Sequence, residues 1–266
     1  MSEEKVPASE EWGILRLLWG IIARPRATLE HLREHGPHTW WVPALLAVLL
    51  VVLPTLVAAP IAVEQAREAI LATQEQLEER QGMELSAEQQ AQMESMATSP
   101  LIIVVFPATL GVMGRVVGWL AWAGALYLTG VALGGRSTFG QMFRMVVWTW
   151  LPYALRGLIQ TVYILTSGQL IANPGLSGLV QDNRPVAEVI AAPPSLDQML
   201  LVALLSKVDL FLVWNLILLV IGVRAVTRLP WRKAILATLG VWILLTALSL
   251  IPTLVSGLFA QQAGVF

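Results

Sequence analysis

The chain has 266 residues, of which 56% are hydrophobic and only 13% are charged, and its formal net charge is -1. Soluble domains carry about 25% charged residues, so this balance predicts a membrane protein, and we expect no nucleic-acid partner. The absence of cysteine excludes disulfides, thiolate metal sites and cysteine nucleophiles.

The N-terminal segment, residues 1–39, is predicted to be a cytoplasmic tail that carries one short helix. Residues 1–13 are acidic and lack the basic region and cleavage site of a secretory signal, so we expect them to remain in the mature protein. Residues 12–23 are apolar but too short to cross a bilayer. They are predicted to form an amphipathic helix in the inner interface.

Five later stretches are long and apolar enough to cross the roughly 30 Å of bilayer hydrocarbon as helices. They cover residues 40–63, 112–133, 145–166, 200–226 and 234–260. The sequence therefore predicts an all-α integral membrane bundle with five transmembrane spans. Residues 40–260 would form one membrane domain, and residues 261–266 a short tail outside.

The segment between the first two spans is predicted to form an acidic helical hairpin outside the membrane. Residues 64–99 are rich in Glu, Gln and Ala. Gly82 can end one helix, and Ser86 with Gln89 resembles the capping box that begins another. We expect the glutamates of this hairpin to be solvated.

The apolar stretch at 101–133 is longer than one span requires. Counting back about 20 residues from Leu133 places Arg115 near the outer boundary. Residues 101–113 would then form a re-entrant or interfacial piece, which Pro107 could bend. A single long tilted helix is the alternative.

Orientation follows from the lysine and arginine residues of the connecting segments, which concentrate on the cytoplasmic side of membrane proteins. The N-terminal tail and the loops at 134–144 and 224–233 hold eleven, whereas the opposite side holds only Arg67, Arg80 and Arg184. This asymmetry predicts a cytoplasmic N-terminus and a C-terminus outside.

The third predicted span carries a polar stripe on an otherwise apolar helix. Its members are Thr149, Pro152, Arg156, Gln160 and Tyr163, which fall within about 40° of Arg156 on a helical wheel. Pro152 also removes a backbone donor, which predicts a kink that faces protein or water.

Two opposite charges in different spans are predicted to pair. Arg156 lies roughly 16 Å into the third span and Asp209 roughly 14 Å into the fourth, so both are placed near mid-bilayer. Lys207 would lie about 200° around the helix from Asp209 and could not pair with it, so it is predicted to reach the outer interface or another polar group. The pair would either belong to a proton or substrate path or, as we favour, fix the packing of two helices.

Three further motifs have structural interpretations. His31, Glu34 and His35 match the H-x-x-E-H string of one zinc peptidase class, but we interpret the histidines as surface residues and expect no metal or other cofactor. The glycine-rich segment 133–140 is predicted to be a turn, with Ser137 or Thr138 capping the next helix, because no strand precedes it to form a phosphate loop. Gly114 and Gly118 form a small-xxx-small pattern that predicts close helix packing.

Several short motifs, taken in order, resemble the Yip-domain family, the Ypt/Rab-interacting membrane proteins and their bacterial relatives. They are Arg24-Pro25 with Thr28, Leu133-Gly134-Gly135 with Phe139, Pro152, Asp209 with the run from Leu210 to Gly222, and Lys233-Ala234. The resemblance spans roughly residues 20–260.

This resemblance implies a five-span domain with a cytoplasmic N-terminus, and in eukaryotes a link to Rab GTPases through self-association and hetero-complexes. The short tail and the Ala/Leu/Arg-rich composition resemble a bacterial member, in a plasma membrane without a Rab partner. We therefore expect a non-enzymatic membrane scaffold whose partners are the lipid bilayer and further copies or another membrane protein. The alternative is a small transporter that uses a polar core of Arg156, Asp209, Gln160, Tyr163, Thr149, Lys207 and Arg115.

Overall fold

The computed structural model describes residues 12–35, 39–81, 86–180 and 194–262, which form helices and the turns between them. The helices are α1 (Ile14–Ala23), α2 (Pro25–His35), α3 (Trp41–Gln81), α4 (Ala87–Ala97), α5 (Phe106–Ala132), α6 (Phe139–Thr149), α7 (Leu151–Ser167), α8 (Leu196–Leu205), α9 (Leu210–Thr227), α10 (Trp231–Ser249) and α11 (Ile251–Gln262). A π-helical turn, Leu101–Val105, precedes α5, and a 3₁₀ turn, Gly175–Val180, lies between α7 and α8.

Four helical segments of the described chain are long and apolar enough to cross a membrane. They are Trp41–Glu75, Ala87–Ala132, Leu210–Thr227 and Trp231–Phe259. The prediction of an all-α membrane protein is confirmed, and the four segments overlap the first, second, fourth and fifth predicted spans. The third predicted span is divided between α6 and α7, neither of which has the length of a full span.

The break between α6 and α7 falls at Trp150, two residues before the predicted kink at Pro152. Pro152 occupies the first turn of α7, where its missing N–H is least costly. Thr149 is fully buried at the end of α6, so the break lies inside the protein. Irregular backbone at membrane depth requires such burial, because lipid offers no hydrogen bonds.

The predicted span at 200–226 is also interrupted, and here the prediction of one continuous helix was wrong. The helix α8 ends at Leu205, and Asp209 is the N-cap of α9. The 3₁₀ turn covers the break, because the Leu176 N–H donates to the Val208 carbonyl at 3.0 Å. Gly175 permits this contact: its φ is +63°, and a side chain there would press against the Val208 carbonyl.

The first predicted span does not end near residue 63. Instead α3 is 41 residues long and ends at Gln81, so that its second half forms one leg of the predicted hairpin. The other leg is α4, which begins with the predicted capping box of Ser86 and Gln89, and Arg67 joins the two legs through a 3.1 Å contact with Glu94. Gly82, predicted to end the first leg, lies outside the described residues.

The favoured interpretation of residues 101–113 as a separate piece was wrong. The π-helical turn runs directly into α5, and Pro107 lies in the first turn of α5 without dividing the helix. The long-helix alternative is what the structure contains. Pro107 has no backbone N–H to donate, and the helix departs from the regular α-helical hydrogen-bond pattern in the π-helical turn directly before it.

The buried core lies at one end of the bundle, around α9. Half of the apolar window of Leu210–Thr227 is buried, whereas only 6% of the window in Trp41–Glu75 is buried. The helix α2 packs on α9, and α1 packs on α2 where Gly20 lies directly against Thr28. On its other face α1 exposes Leu15 and Trp19.

Candidate functional site

The predicted ion pair between Arg156 and Asp209 is present. Arg156 Nη1 lies 2.8 Å from Asp209 Oδ2, and the two side chains are 25% and 13% exposed. The other carboxylate oxygen of Asp209 accepts the Leu212 N–H at 2.7 Å and caps α9. Both oxygens therefore have structural partners, one on α7 and one in the first turn of α9.

Arg115, a member of the predicted polar core, belongs to the same cluster. Its guanidinium lies 5.0 Å from the ring centre of Trp150 and 5.8 Å from that of Tyr153. These are cation–π distances, and Tyr153 is also within electrostatic range of Arg156 and Asp209. The cluster thus joins α5, the α6–α7 break and the α8–α9 break.

Asn215 is a polar contact that the sequence reasoning missed. Its side-chain amide, which is 1% exposed, donates to the Thr149 carbonyl at 2.8 Å. The break at Trp150 diverts the Tyr153 N–H to the Trp150 carbonyl, so the Thr149 carbonyl loses its usual helical donor. An asparagine within an apolar span is the signal that could have revealed this contact.

The remaining predicted core residues are dispersed. Gln160 lines a separate cavity of about 310 Å³ beside Thr55 of α3. Tyr163 is 41% exposed on the outside of α7. Lys207 lies in the unwound segment before α9, where its ammonium has no partner among the described residues.

The angular argument that separated Lys207 from Asp209 was wrong in its premise, because neither residue lies within a helix. The two still form no ion pair in the described chain, since Asp209 faces Arg156 instead.

The small residues of the second span have different surroundings. A side chain at Gly118 would lie 3.1 Å from the Trp150 ring, so Gly118 packs closely within the chain as predicted. A side chain at Gly114 would meet nothing within 4 Å, so the prediction that Gly114 packs closely is wrong within one chain.

The cluster lies in the half of the bundle remote from the end that carries Arg33, Arg136, Arg224 and Arg228, which we call the arginine-rich end. Arg156 is about 26 Å from the start of α6, Asp209 about 27 Å from the end of α9, and Arg115 about 26 Å from the end of α5, at 1.5 Å per residue. These helix ends lie together, since the Arg136 N–H donates to the Thr227 carbonyl. The earlier mid-bilayer estimate arose because the predicted span limits fell inside the real helices.

The geometry of the cluster favours structural contacts. Neither Arg156 nor Asp209 lines the cavities of about 390, 370 and 310 Å³ in the described chain. A carboxylate that caps a helix and neutralises an arginine is a fixed counter-ion.

The histidines of the H-x-x-E-H string form an aromatic stack. His31 lies between Trp12 and His35, and its ring centre is 4.5 Å from that of Trp12 and 4.9 Å from that of His35. His31 is thus less solvated than predicted. Among the described residues no group of three or more His, Cys, Asp or Glu side chains could hold a metal ion.

This stack makes a pH dependence testable. Burial, followed by the charges of His35 and Arg16, lowers the pKa of His31 below its usual value, although Glu34 acts in the opposite direction. As the pH falls below about 6.5, His31 therefore takes up a proton in the unfolded chain before it does so in the folded chain. The contribution of His31 to the free energy of unfolding is fully present above that pH and is lost as the pH falls further. We expect His31→Gln to flatten the acid side of a plot of melting temperature against pH. An unchanged slope would contradict this.

The glycine-rich segment is a turn with the predicted cap. Thr138 and Gln141 form a capping box at the start of α6, and Gly134 adopts a φ of +88°. The Lys233 ammonium donates to the Leu133 carbonyl at 2.8 Å, which ties α10 to the end of α5. Two of the motifs noted in the sequence therefore meet at the arginine-rich end.

Comparison with known proteins agrees with these features. No curated protein and no solved structure matches the chain. The family model of the Yip1 domain matches residues 19–259, nearly the whole length, and confirms the resemblance noted in the sequence. With its apolar, membrane-length helices and its motifs in their expected order, the chain belongs to the Yip1-domain family of membrane proteins.

Proposed function

We propose that this Yip1-domain protein is a non-enzymatic membrane scaffold that acts through self-association. The observation that carries the proposal is an exposed stripe on α5. Gly114 and Ala121 are seven residues apart on one exposed face, and Gly114 has open space beside it. Small residues on an exposed helix face let a second helix approach closely in a bilayer, where van der Waals packing drives association.

The polar cluster supports a scaffold because its groups are already engaged. Asp209 pairs with Arg156 and caps α9, and Asn215 compensates the break beside Thr149. Such contacts fix the positions of α7 and α9, and so hold the outward face of α5 in one arrangement.

The proposed topology has five crossings, formed by α3, α5, the α6–α7 pair, α9 and α10. The helix α1 would lie in the inner interface, supported by the exposed apolar side chains of Leu15 and Trp19. The arginine-rich end would face the cytoplasm, with the C-terminus outside, in a bacterial-type plasma membrane. The partners would be lipid and further copies, and not a Rab-type GTPase.

Energy transfer between fluorescently labelled copies in lipid vesicles tests the scaffold. We expect transfer for the wild type at low protein density, and a clear loss of transfer for Gly114→Leu, because a large side chain blocks close approach. The matched control is Gly240→Leu, since Gly240 of α10 is also exposed with open space beside it. Absence of transfer in the wild type, or equal loss in both variants, would contradict self-association through α5.

A small transporter is the second candidate, favoured by the two interrupted helices beside an intramembrane ion pair. Transporters often bind substrates where helices are discontinuous. This candidate predicts a proton-coupled flux into vesicles that Asp209→Asn abolishes while the protein stays folded. The scaffold predicts no such flux.

A further inference from the structure

A basic cavity lies at the arginine-rich end, between α2, the end of α9 and the start of α10. Its volume is about 390 Å³. Its polar lining consists of Arg26, Arg33, Arg224, Arg228 and Glu30, with Trp231 at one side. Four cationic side chains and one carboxylate leave the cavity strongly positive.

The cavity is placed where lipid headgroups lie. Two membrane-length segments meet here, one ending at Thr227 and the other beginning at Trp231. Trp231 is 43% exposed, and the Arg224 guanidinium lies 4.4 Å from its ring centre. Tryptophan at the end of a span prefers the water–lipid boundary. Ile221 and Leu229 add an apolar wall to the same cavity.

The arginines of the cavity differ in how far they are compensated. Arg26 contacts Glu30 at 3.1 Å, and Arg33 contacts Glu34 and donates to the Ala225 carbonyl. Arg224 and Arg228 have no carboxylate partner among the described residues. Two guanidinium groups therefore remain available for an anion, and their planar donor arrangement suits phosphate oxygens.

The backbone of Arg228 is a second, independent sign that its side chain is needed. Arg228 has a φ of +59°, and every other non-glycine residue of the described chain has a negative φ. It follows the last turn of α9, a position that glycine usually occupies because a Cβ is disfavoured there. A long cationic side chain in a glycine-type position indicates a use for the cation.

We propose that this cavity binds a phosphate ester, supplied by the headgroup of an anionic phospholipid. Arg224 and Arg228 would contact the phosphate, and the apolar wall would accept the first part of the acyl chains. The lipid is favoured over a soluble phosphate because the cavity opens at the ends of two membrane-length segments. Basic pockets between membrane helices commonly take such headgroups.

Purified protein in neutral detergent, titrated with short-chain phosphatidylglycerol, tests the proposal. Lipid retention is read by native mass spectrometry and stabilisation by the melting temperature. We expect retention by the wild type, and about tenfold weaker binding for Arg228→Gly, since one charge-assisted contact is lost. Without lipid, Arg228→Gly should melt no lower than the wild type, because glycine suits this backbone; a lower melting temperature would indicate a purely structural arginine and overturn the proposal.

Two further measurements distinguish binding at this cavity from a general effect of positive charge, and a phospholipid from free phosphate. Arg136→Gln removes one charge from the same end but outside the cavity lining, and is expected to bind like the wild type. Equal weakening by Arg136→Gln and Arg228→Gly would overturn the site. Phosphatidylcholine should not be retained, and stabilisation by inorganic phosphate equal to that by the lipid would overturn the lipid assignment.

Discussion

Asp209→Asn is expected to destabilise the protein by roughly 2–3 kcal/mol, and adding Arg156→Gln is expected to recover most of that loss. The single change leaves the Arg156 guanidinium half-buried without its counter-ion at 2.8 Å. Asparagine is as good an N-cap as aspartate, so the contact with the Leu212 N–H survives and the measurement isolates the charge. The double variant removes both charges and leaves no unpaired ion.

The measurement is the midpoint of unfolding in mixed micelles as sodium dodecyl sulfate increases. Lys207→Gln is the matched control, because Lys207 lies in the same unwound segment without a partner among the described residues, and its effect should be close to zero. Asp209→Ala removes the cap as well as the charge, and should cost about 1 kcal/mol more than Asp209→Asn. Strictly additive effects of Asp209→Asn and Arg156→Gln would show that the two residues are energetically independent.

The pairing of Arg156 and Asp209 was predictable because residue counting places both at the same level of the bundle. That level was misjudged because α6 begins at residue 139, before the predicted span limit of 145. Both residues move in the same direction along the bundle when the real helix ends are used. Their predicted relative depth was therefore correct, although their predicted absolute depth was wrong.

The break before α9 could not be predicted from residues 200–226 alone. Hydropathy averages over this segment, and Ser206 and Lys207 lower it little. What makes the break stable is distant in sequence: Leu176 donates to the Val208 carbonyl, and Gly175 provides the close approach. A turn about thirty residues earlier supplies the hydrogen bond that a continuous helix would otherwise make.

The role of Asn215 was hidden for a related reason. Its partner is the backbone carbonyl of Thr149, and every residue has such a carbonyl. No side-chain pattern in α6 therefore marks the acceptor. The prediction of one polar stripe along the third span also failed beyond the break. The interruption at Trp150 changes the angle around the helix between Thr149 and the later members of the stripe.

Asn215→Leu is expected to destabilise the protein by about 1–3 kcal/mol, the cost of leaving a buried carbonyl without a donor. Leucine has the same branched shape and the same number of side-chain heavy atoms as asparagine, but it cannot donate to the Thr149 carbonyl. Thr238→Val is the matched control. Thr238 is also fully buried in the bundle, but its hydroxyl makes no hydrogen bond within the described chain. Its replacement should be neutral or slightly stabilising.

A second substitution tests whether the break between α6 and α7 is the reason that the Thr149 carbonyl needs Asn215. Pro152→Ala restores a backbone donor in the first turn of α7, which allows α6 and α7 to join as one helix and the Tyr153 N–H to return to the Thr149 carbonyl. In the Asn215→Leu background, Pro152→Ala should therefore recover stability, measured by the same micellar unfolding midpoint. A straight helix would also turn Arg156 away from Asp209, so the recovery should be partial. If Asn215→Leu instead unfolds like Thr238→Val, the Thr149 carbonyl has another donor and the break does not depend on Asn215.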